Sequence, residues 1–402
     1  MLKQYQREYL VVFFLLIFSG NPLVGFLFGK YSIIVLFTIV FVLLNLQLKF
    51  RTNFFSSYKV IMFVICLISI AQYFEFNFIS IQGILNVLLK IFIGGYIINY
   101  LGAKFAITLF KVLYHLCIIS LLFFLLINIL KLQLPAISIG GEQKSYLIYG
   151  TSFDLHIHKN AGMFWEPGAH AGILTLCLGL NFNNLKMLWL NHKSKILILI
   201  ITLLTTQSTT GYLVGFVIAF FYFLQAKNFF ITFFAVPIIL IIGLFVYQST
   251  DFMKEKIESQ FEKSTEQEIG DFSNSRFGSI IFDWHYIEKH PFIGNGLHES
   301  TRYADHQYLF VGAKVDVIGS GNGFSHYLAS MGVFFILGYF YLLWQTTTNE
   351  GIFFSIVFLV IILLNLQGEQ WFNFPLYLGL PFLIFKNVNF KKRIFKPFHH
   401  QN

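Results

Sequence analysis

The chain has 402 residues, 56% of them hydrophobic and only 12% charged, with 52 Phe and a net charge of +9. Its mean hydropathy is +0.68. A soluble domain carries about 25% charged residues, so this composition leaves too little polar surface to coat a water-soluble globule and excludes that class. The positive charge does not indicate nucleic acid. It lies in short loops and in a basic tail, "KNVNFKKRIFKPFHH", suited to the anionic surface of a cytoplasmic leaflet.

Taken from the N-terminus, the chain reads as spans. A bilayer core needs about 20 apolar residues per helix. Such runs fall near 9–28, 31–48, 59–78, 82–101, 105–130, 166–184, 195–209, 211–226, 228–248, 323–344, 351–367 and 371–386. The first lacks a small-residue cleavage site after it and reads as a span. The hydroxyls and Gly211 of "TTQSTTG" divide 195–226 into two. The expected fold is an all-α polytopic membrane protein with about 12 transmembrane helices, a single integral membrane domain over 1–402. Cys66, Cys117 and Cys177 all lie inside apolar runs and read as small buried hydrophobes; no disulfide or zinc spacing exists.

Charge sets the orientation. With the N-terminus cytoplasmic, Lys3, Arg7, Lys49, Arg51, Lys59, Lys104, Lys186, Lys193, Lys195, Lys227 and the tail at 387–402 share that side, as the enrichment of Lys and Arg in cytoplasmic loops requires. Both termini are then cytoplasmic. Two loops face the other compartment, the periplasm of a bacterium: 131–165 and the large 249–322. The large loop holds 12 acids against seven bases. Most acids sit in "KEKIESQFEKSTEQEIGD", which reads as an exposed helix face. No fixed-period repeat and no two-half symmetry of the transporter kind is visible.

The chemistry-bearing residues cluster at that outer side. "MFWEPGAHAG" opens the span at 166–184 with Glu166, Pro167 and His170. Proline suits a first helical turn, and a carboxylate before it suits the positive end of the helix dipole. The i, i+4 spacing predicts Glu166 and His170 on one face. An ionisable group at membrane depth is costly and marks a functional site, although a simple cap would look the same. Upstream, "DLHIHKN" supplies Asp154, His156, His158 and Lys159; without a fixed third ligand it is a weak metal motif, and no metal is expected. In the large loop, "NSRFGSIIFDWHYIEKHPFIGNG" predicts a helix with Phe277, Ile280, Ile281, Trp284 and Ile287 on one face, stopped by His290-Pro291 and followed by a glycine turn. Arg276 opens it. Its planar fork matches a phosphate or diphosphate; Arg302 is a second candidate. "GSGNGFSHYLASMG" then re-enters the membrane at Asn322, with His326 one turn in.

Four motifs, "GMFWEPGAHAGIL", "LLTTQSTTGYLVG", "SRFGSIIFDWHYIEKHPFIGNG" and "GSGNGFSHYLASMGVFFILG", in this order over about 160–345, resemble the O-antigen polymerase and ligase superfamily. The resemblance implies a GT-C-like membrane glycosyltransferase architecture working at the periplasmic face of the inner membrane. It implies donor and acceptor glycans linked to undecaprenyl diphosphate, membrane lipids around them, and a possible chain-length regulator protein as partner. "EPG", Thr209 in "STTGY" and the pair Gly321-Asn322 are more similar to the Wzy-type polymerase than to the ligase, which joins finished glycan to lipid A core. A non-enzymatic flippase or transporter is the other alternative. It would distribute charges through its spans, whereas here the ionisable residues within spans are few, among them Glu75, Lys90, Lys111, His115, His326 and Glu369.

The donor's anomeric carbon is already activated by diphosphate, and no Walker-type glycine loop is present, so no cofactor is expected. Arg276, with Arg302, Lys159 and Asn322, is expected to bind the diphosphate and its developing charge. Glu166 is expected to accept the acceptor's proton, with His170 or His326 in reserve. Attack opposite the leaving diphosphate inverts the anomeric centre without metal.

Overall fold

The computed structural model describes residues 4–44, 54–140, 143–152, 159–225, 276–298, 301 and 322–385. The chain is an all-α polytopic membrane protein. Among the described residues, five helical stretches are long and apolar enough to cross a bilayer, and three shorter apolar helices accompany them. In chain order the described helices are α1 (Gln4–Ile17), α2 (Pro22–Phe28), α3 (Ser32–Leu43), α4 (Phe54–Phe76), α5 (Ile81–Leu101), α6 (Phe105–Phe123), α7 (Pro167–Leu180), α8 (Leu185–Thr205), α9 (Thr209–Leu224), α10 (Arg276–Lys289), α11 (Gly323–Thr347), α12 (Ile352–Gly368) and the single turn α13 (Pro375–Leu378). Side chains such as Phe63, Leu67, Phe74 and Leu337 are exposed on the outside of the bundle, as lipid-facing residues are.

The apolar runs do not each become one helix. The first breaks at Ser19-Gly20-Asn21, where the Asn21 side chain caps α2 and reaches the Ile148 and Met163 carbonyls. The last, 371–386, is a correction to the expected helical span. Its described part holds two 3₁₀ turns, α13 and an extended end, because Pro375, Gly379 and Pro381 interrupt any longer helix. It is nonetheless deeply buried, from Trp371 to Phe382. Trp371 lies beside Gly172 in the second turn of α7, and Phe385 meets Phe354 at the far start of α12. The segment thus threads the bundle as irregular backbone. Such backbone survives at membrane depth only when protein satisfies its polar groups. Here Tyr327 donates to the Phe372 carbonyl at 2.8 Å, Tyr339 to the Tyr377 carbonyl at 2.7 Å, and Ser19 accepts from the Leu376 N–H. On α5, Gly94 and Gly95 leave room for the Pro375 carbonyl and the Phe382 ring.

A second break is repaired in the same way. α11 kinks at Gly332, where φ is 73°. The Ala329 and Ser330 carbonyls accept from the Asn295 and Gly296 N–H groups, and the Val333 N–H donates to the Pro291 carbonyl. Gln72 of α4 adds bonds to the Ile293 and Ser330 carbonyls. The turn "HPFIGNG" is therefore the piece that fills the kink. α10 stands on α11 through Phe282, Tyr286 and Ile287. Its buried side is Ser279, Phe282, Asp283, Tyr286 and Ile287, while Trp284 is 52% exposed, so the helix is turned relative to the face expected from its apolar pattern.

Between α6 and α7 lies a small antiparallel meander, β1 (Ile137–Gly140), β2 (Gln143–Tyr146) and β3 (Tyr149–Ser152), in the order β1-β2-β3. Buried Tyr149 stacks on Phe123 and pins the meander to α6; burial pushes its phenol well above the usual range.

Candidate active site

The residues around Gly168, Ser208, Gly323 and Glu369 meet at one end of the bundle, where α7, α9 and α11 all begin and α12 ends. Loop 160–165 closes over α7. Asn160, fully buried, accepts from Ser120 of α6 at 2.6 Å and from the Gly162 N–H at 3.0 Å, and donates to Thr205 of α8 at 3.0 Å. Gly162 has φ 58°, and a side chain there would run into the His170 ring.

His170 lies beneath this loop. It is 2% exposed, its Nδ1 is 3.3 Å from the Asn160 carbonyl, and its ring lies near Phe164. Glu166 occupies the N-cap position of α7 in extended backbone, φ −153° and ψ 163°, but its side chain does not cap the helix. It is half-buried. The helix begins only at Pro167, so Glu166 stands outside it, and the two residues differ in access although four apart.

The group that sequence reading did not single out as a site residue is Glu369. It follows the last turn of α12 and is 4% exposed. A Cβ at Gly168, the second residue of α7, would collide with Glu369 Oε1, and Ser208 Oγ would lie 3.8 Å from it. Ser208 is the N-cap of α9, its hydroxyl accepting from the Gly211 N–H. One buried carboxylate thus faces the N-termini of two helices, whose dipoles favour negative charge. The Glu369 backbone in turn presses on Gly323, the first residue of α11.

Asn322 caps α11, its Oδ1 accepting from the Phe324 and Ser325 N–H groups at 3.1 and 3.0 Å. It is 2% exposed and shapes the helix start. His326 is half-buried one turn in. Ser325 donates to Asp283 Oδ2 at 2.5 Å, and Asp283 is fully buried. This bond ties α10 to the same helix start that Glu369 touches. Arg276 is the first residue of α10, two turns before Asp283; its side chain lies outside the described residues. Lys159 is half-buried beside Asn160. Arg302, Asp154, His156 and His158 lie outside the described residues. Among the described residues no group of three or more His, Cys, Asp or Glu side chains is placed to hold a metal ion.

The structure therefore brings Glu166, Glu369, Asn322 and the start of α11 to one locality, with α10 docked beside it. A hint of Glu369 was present in "LQGEQW": a carboxylate between glycine and tryptophan, directly after an apolar run.

Residues 196–340, from within α8 to within α11, match a family model described as O-antigen ligase. That stretch includes Ser208, Arg276, Asp283, Asn322 and His326, whereas Glu166 and Glu369 flank it. No curated protein matches the chain. The match covers about a third of the chain, and with the helical membrane bundle around it supports a likeness to the O-antigen polymerase/ligase superfamily.

Proposed function

We propose that the protein polymerises undecaprenyl-diphosphate-linked oligosaccharide repeat units into O-antigen, capsule or exopolysaccharide at the periplasmic face of the inner membrane, with both termini cytoplasmic. The observation that supports this reading is that half-buried Glu166, at the head of α7, lies at the same end of the bundle as buried Glu369, whose side chain and backbone meet the starts of α7, α9 and α11. Carboxylates of unequal burial suit unequal roles.

In this mechanism the acceptor hydroxyl attacks the anomeric carbon opposite the diphosphate. The new C–O bond forms as the bond to the diphosphate oxygen breaks, and the anomeric centre inverts. The hydroxyl proton passes to Glu166. The bond's electron pair leaves with the diphosphate, whose charge is met by Arg276 at the head of α10, with Arg302 and Lys159 as helpers. Glu369 is a positioning residue that holds the start of α7, and hence Glu166, against α9 and α11. Asn322 sets the start of α11, and His326 and His170 remain the alternative proton acceptors. Aromatic side chains of the outer segments, such as exposed Trp284, offer faces for sugars.

The ligase reading is favoured by one finding, the description of the matched family model. Purified protein supplied with a lipid-linked repeat in detergent separates the readings. A polymerase lengthens the repeat on its lipid carrier; a ligase leaves it unchanged until lipid A core is added; a flippase or transporter gives no glycan product in either case. Absence of elongation with repeat alone overturns the polymerase assignment.

A further inference from the structure

At the end of the bundle opposite Glu166, α6 and α8 gather cations. Lys111 on α6 and Lys195 on α8 lie within electrostatic reach of each other, and His192 lies within reach of both. Their close neighbours are rings: Lys195 Nζ is 5.1 Å from the centre of Tyr114, and Lys193 Nζ is 5.5 Å from that of Trp189. A ring face attracts an ammonium but does not neutralise it. Glu8 also reaches Lys111, yet its Oε1 is held by Lys104 at 2.6 Å. Among the described residues, none of Lys111, Lys193 and Lys195 is in a salt bridge. Like charges gathered this closely repel one another, and an anion relieves that repulsion.

The surroundings say what kind of anion. His192 leaves helical geometry, φ −141° and ψ 39°, inside α8. The segment before this kink exposes Trp189 at 40% and Leu190 at 68% next to exposed Lys186 and Lys193. Exposed apolar rings and chains beside lysines belong to the layer between headgroups and acyl chains. A soluble anion has no use for the apolar half of that surface.

We propose that Lys111, His192, Lys193 and Lys195 bind the phosphate of an anionic phospholipid headgroup, with Trp189 and Leu190 against its acyl chains. The site is remote from Glu166, and its test does not depend on the glycan chemistry. Full-length protein in phosphatidylcholine nanodiscs containing a minor share of phosphatidylglycerol is released for native mass spectrometry, and retained phosphatidylglycerol is counted. The wild type retains it selectively. A Lys111→Gln/Lys195→Gln variant retains roughly thirtyfold less, at a Lys contribution of about 1 kcal/mol each near a charged surface. Lys30→Gln/Lys59→Gln, which removes the same charge elsewhere, retains as much as the wild type, and Lys111→Arg/Lys195→Arg restores retention. Equal retention by both Gln pairs, or equal loss, makes the cluster a topology charge and overturns the proposal. Displacement of the lipid by millimolar inorganic phosphate overturns it in favour of a soluble anion. Should the Gln pair fail to fold, the single Lys195→Gln variant is scored by the same retention criterion.

Discussion

The Glu369 carboxylate lies against the Cα of Gly168, so close that any side chain there would strike Oε1. Glu369 comes from the end of α12 and Gly168 from the start of α7. Their contact fixes the approach of two helices that are separated by some two hundred residues of chain. Glu369 is 4% exposed, and helix N-termini near a carboxylate favour it by about 0.3–1 kcal/mol each.

Gly168→Ala tests that contact with the smallest possible change. Alanine favours a helix over glycine by about 1 kcal/mol, so thermal stability should hold or change little. The new methyl displaces Glu369, and a shift of about 1 Å in a positioned group costs up to roughly 100-fold in rate. Elongation of a lipid-linked repeat should therefore fall at least tenfold while the melting temperature stays within a few degrees. Gly25→Ala, where nothing stands within 4 Å, should leave both unchanged. Full activity in Gly168→Ala would remove Glu369 from the reaction centre.

Glu166→Gln keeps size and hydrogen-bonding capacity but removes the proton acceptor. Loss of a general base costs about 100- to 10,000-fold, so cells carrying the variant should show no glycan ladder at normal membrane levels of the protein. Arg276→Ala should depress use of the diphosphate donor far more than Lys289→Ala, at the other end of α10. A normal ladder in Glu166→Gln, or equal small effects of the two α10 substitutions, would contradict the roles given to these residues.

How much of this was legible in the sequence depends on the range of the signal. Apolar runs of bilayer length are local, and they carried the helical membrane class; the boundaries of α5, α11 and α12 follow them closely. The start of α7 was legible too, because Pro167 and Glu166 mark it. The irregular passage at 371–385 was not, since its residues are as apolar as a span; only Pro375, Gly379 and Pro381 hinted that the helix would fail. The turn "HPFIGNG" could be read as a turn, but its partner, the kink at Gly332, lies on another element. Glu369 was visible as an ionisable group near a boundary, yet its importance rests on Gly168 and Gly323, contacts between distant segments that no local pattern encodes. α10 shows the limit of periodicity: an aromatic at position 284 fits an apolar face by spacing, while burial of Asp283 against Ser325 turned the helix the other way.

The kink in α11 makes a stability prediction. Gly332 has φ 73°, and a Cβ there would meet the Phe292 carbonyl. Gly332→Ala therefore carries both backbone strain, about 1–3 kcal/mol, and a clash with the turn that replaces the broken helical bonds. Gly338→Ala, six residues on in the same helix with nothing within 4 Å, should be neutral or slightly stabilising. Thermal unfolding of the two variants in detergent should differ by several degrees. Equal melting temperatures would mean that the kink tolerates an ordinary residue and that the turn is not what holds it.

His170 poses the sharper question, because a buried histidine can serve a fold or a reaction. Its Nδ1 contacts the Asn160 carbonyl, and Asn160 ties together α6, α8 and loop 160–165. Asn160→Ala strands the Ser120 hydroxyl and the Gly162 N–H, and unsatisfied buried groups cost about 1–3 kcal/mol each, so this variant should be strongly destabilised. His170→Gln then separates the roles. If His170 is part of the same structural unit, its loss lowers the melting temperature, and activity per folded molecule survives. If it is the proton acceptor, activity disappears with the melting temperature unchanged. The geometry favours the first outcome: the ring is 2% exposed and shut beneath Gly162, while Glu166, four residues earlier, is only half-buried.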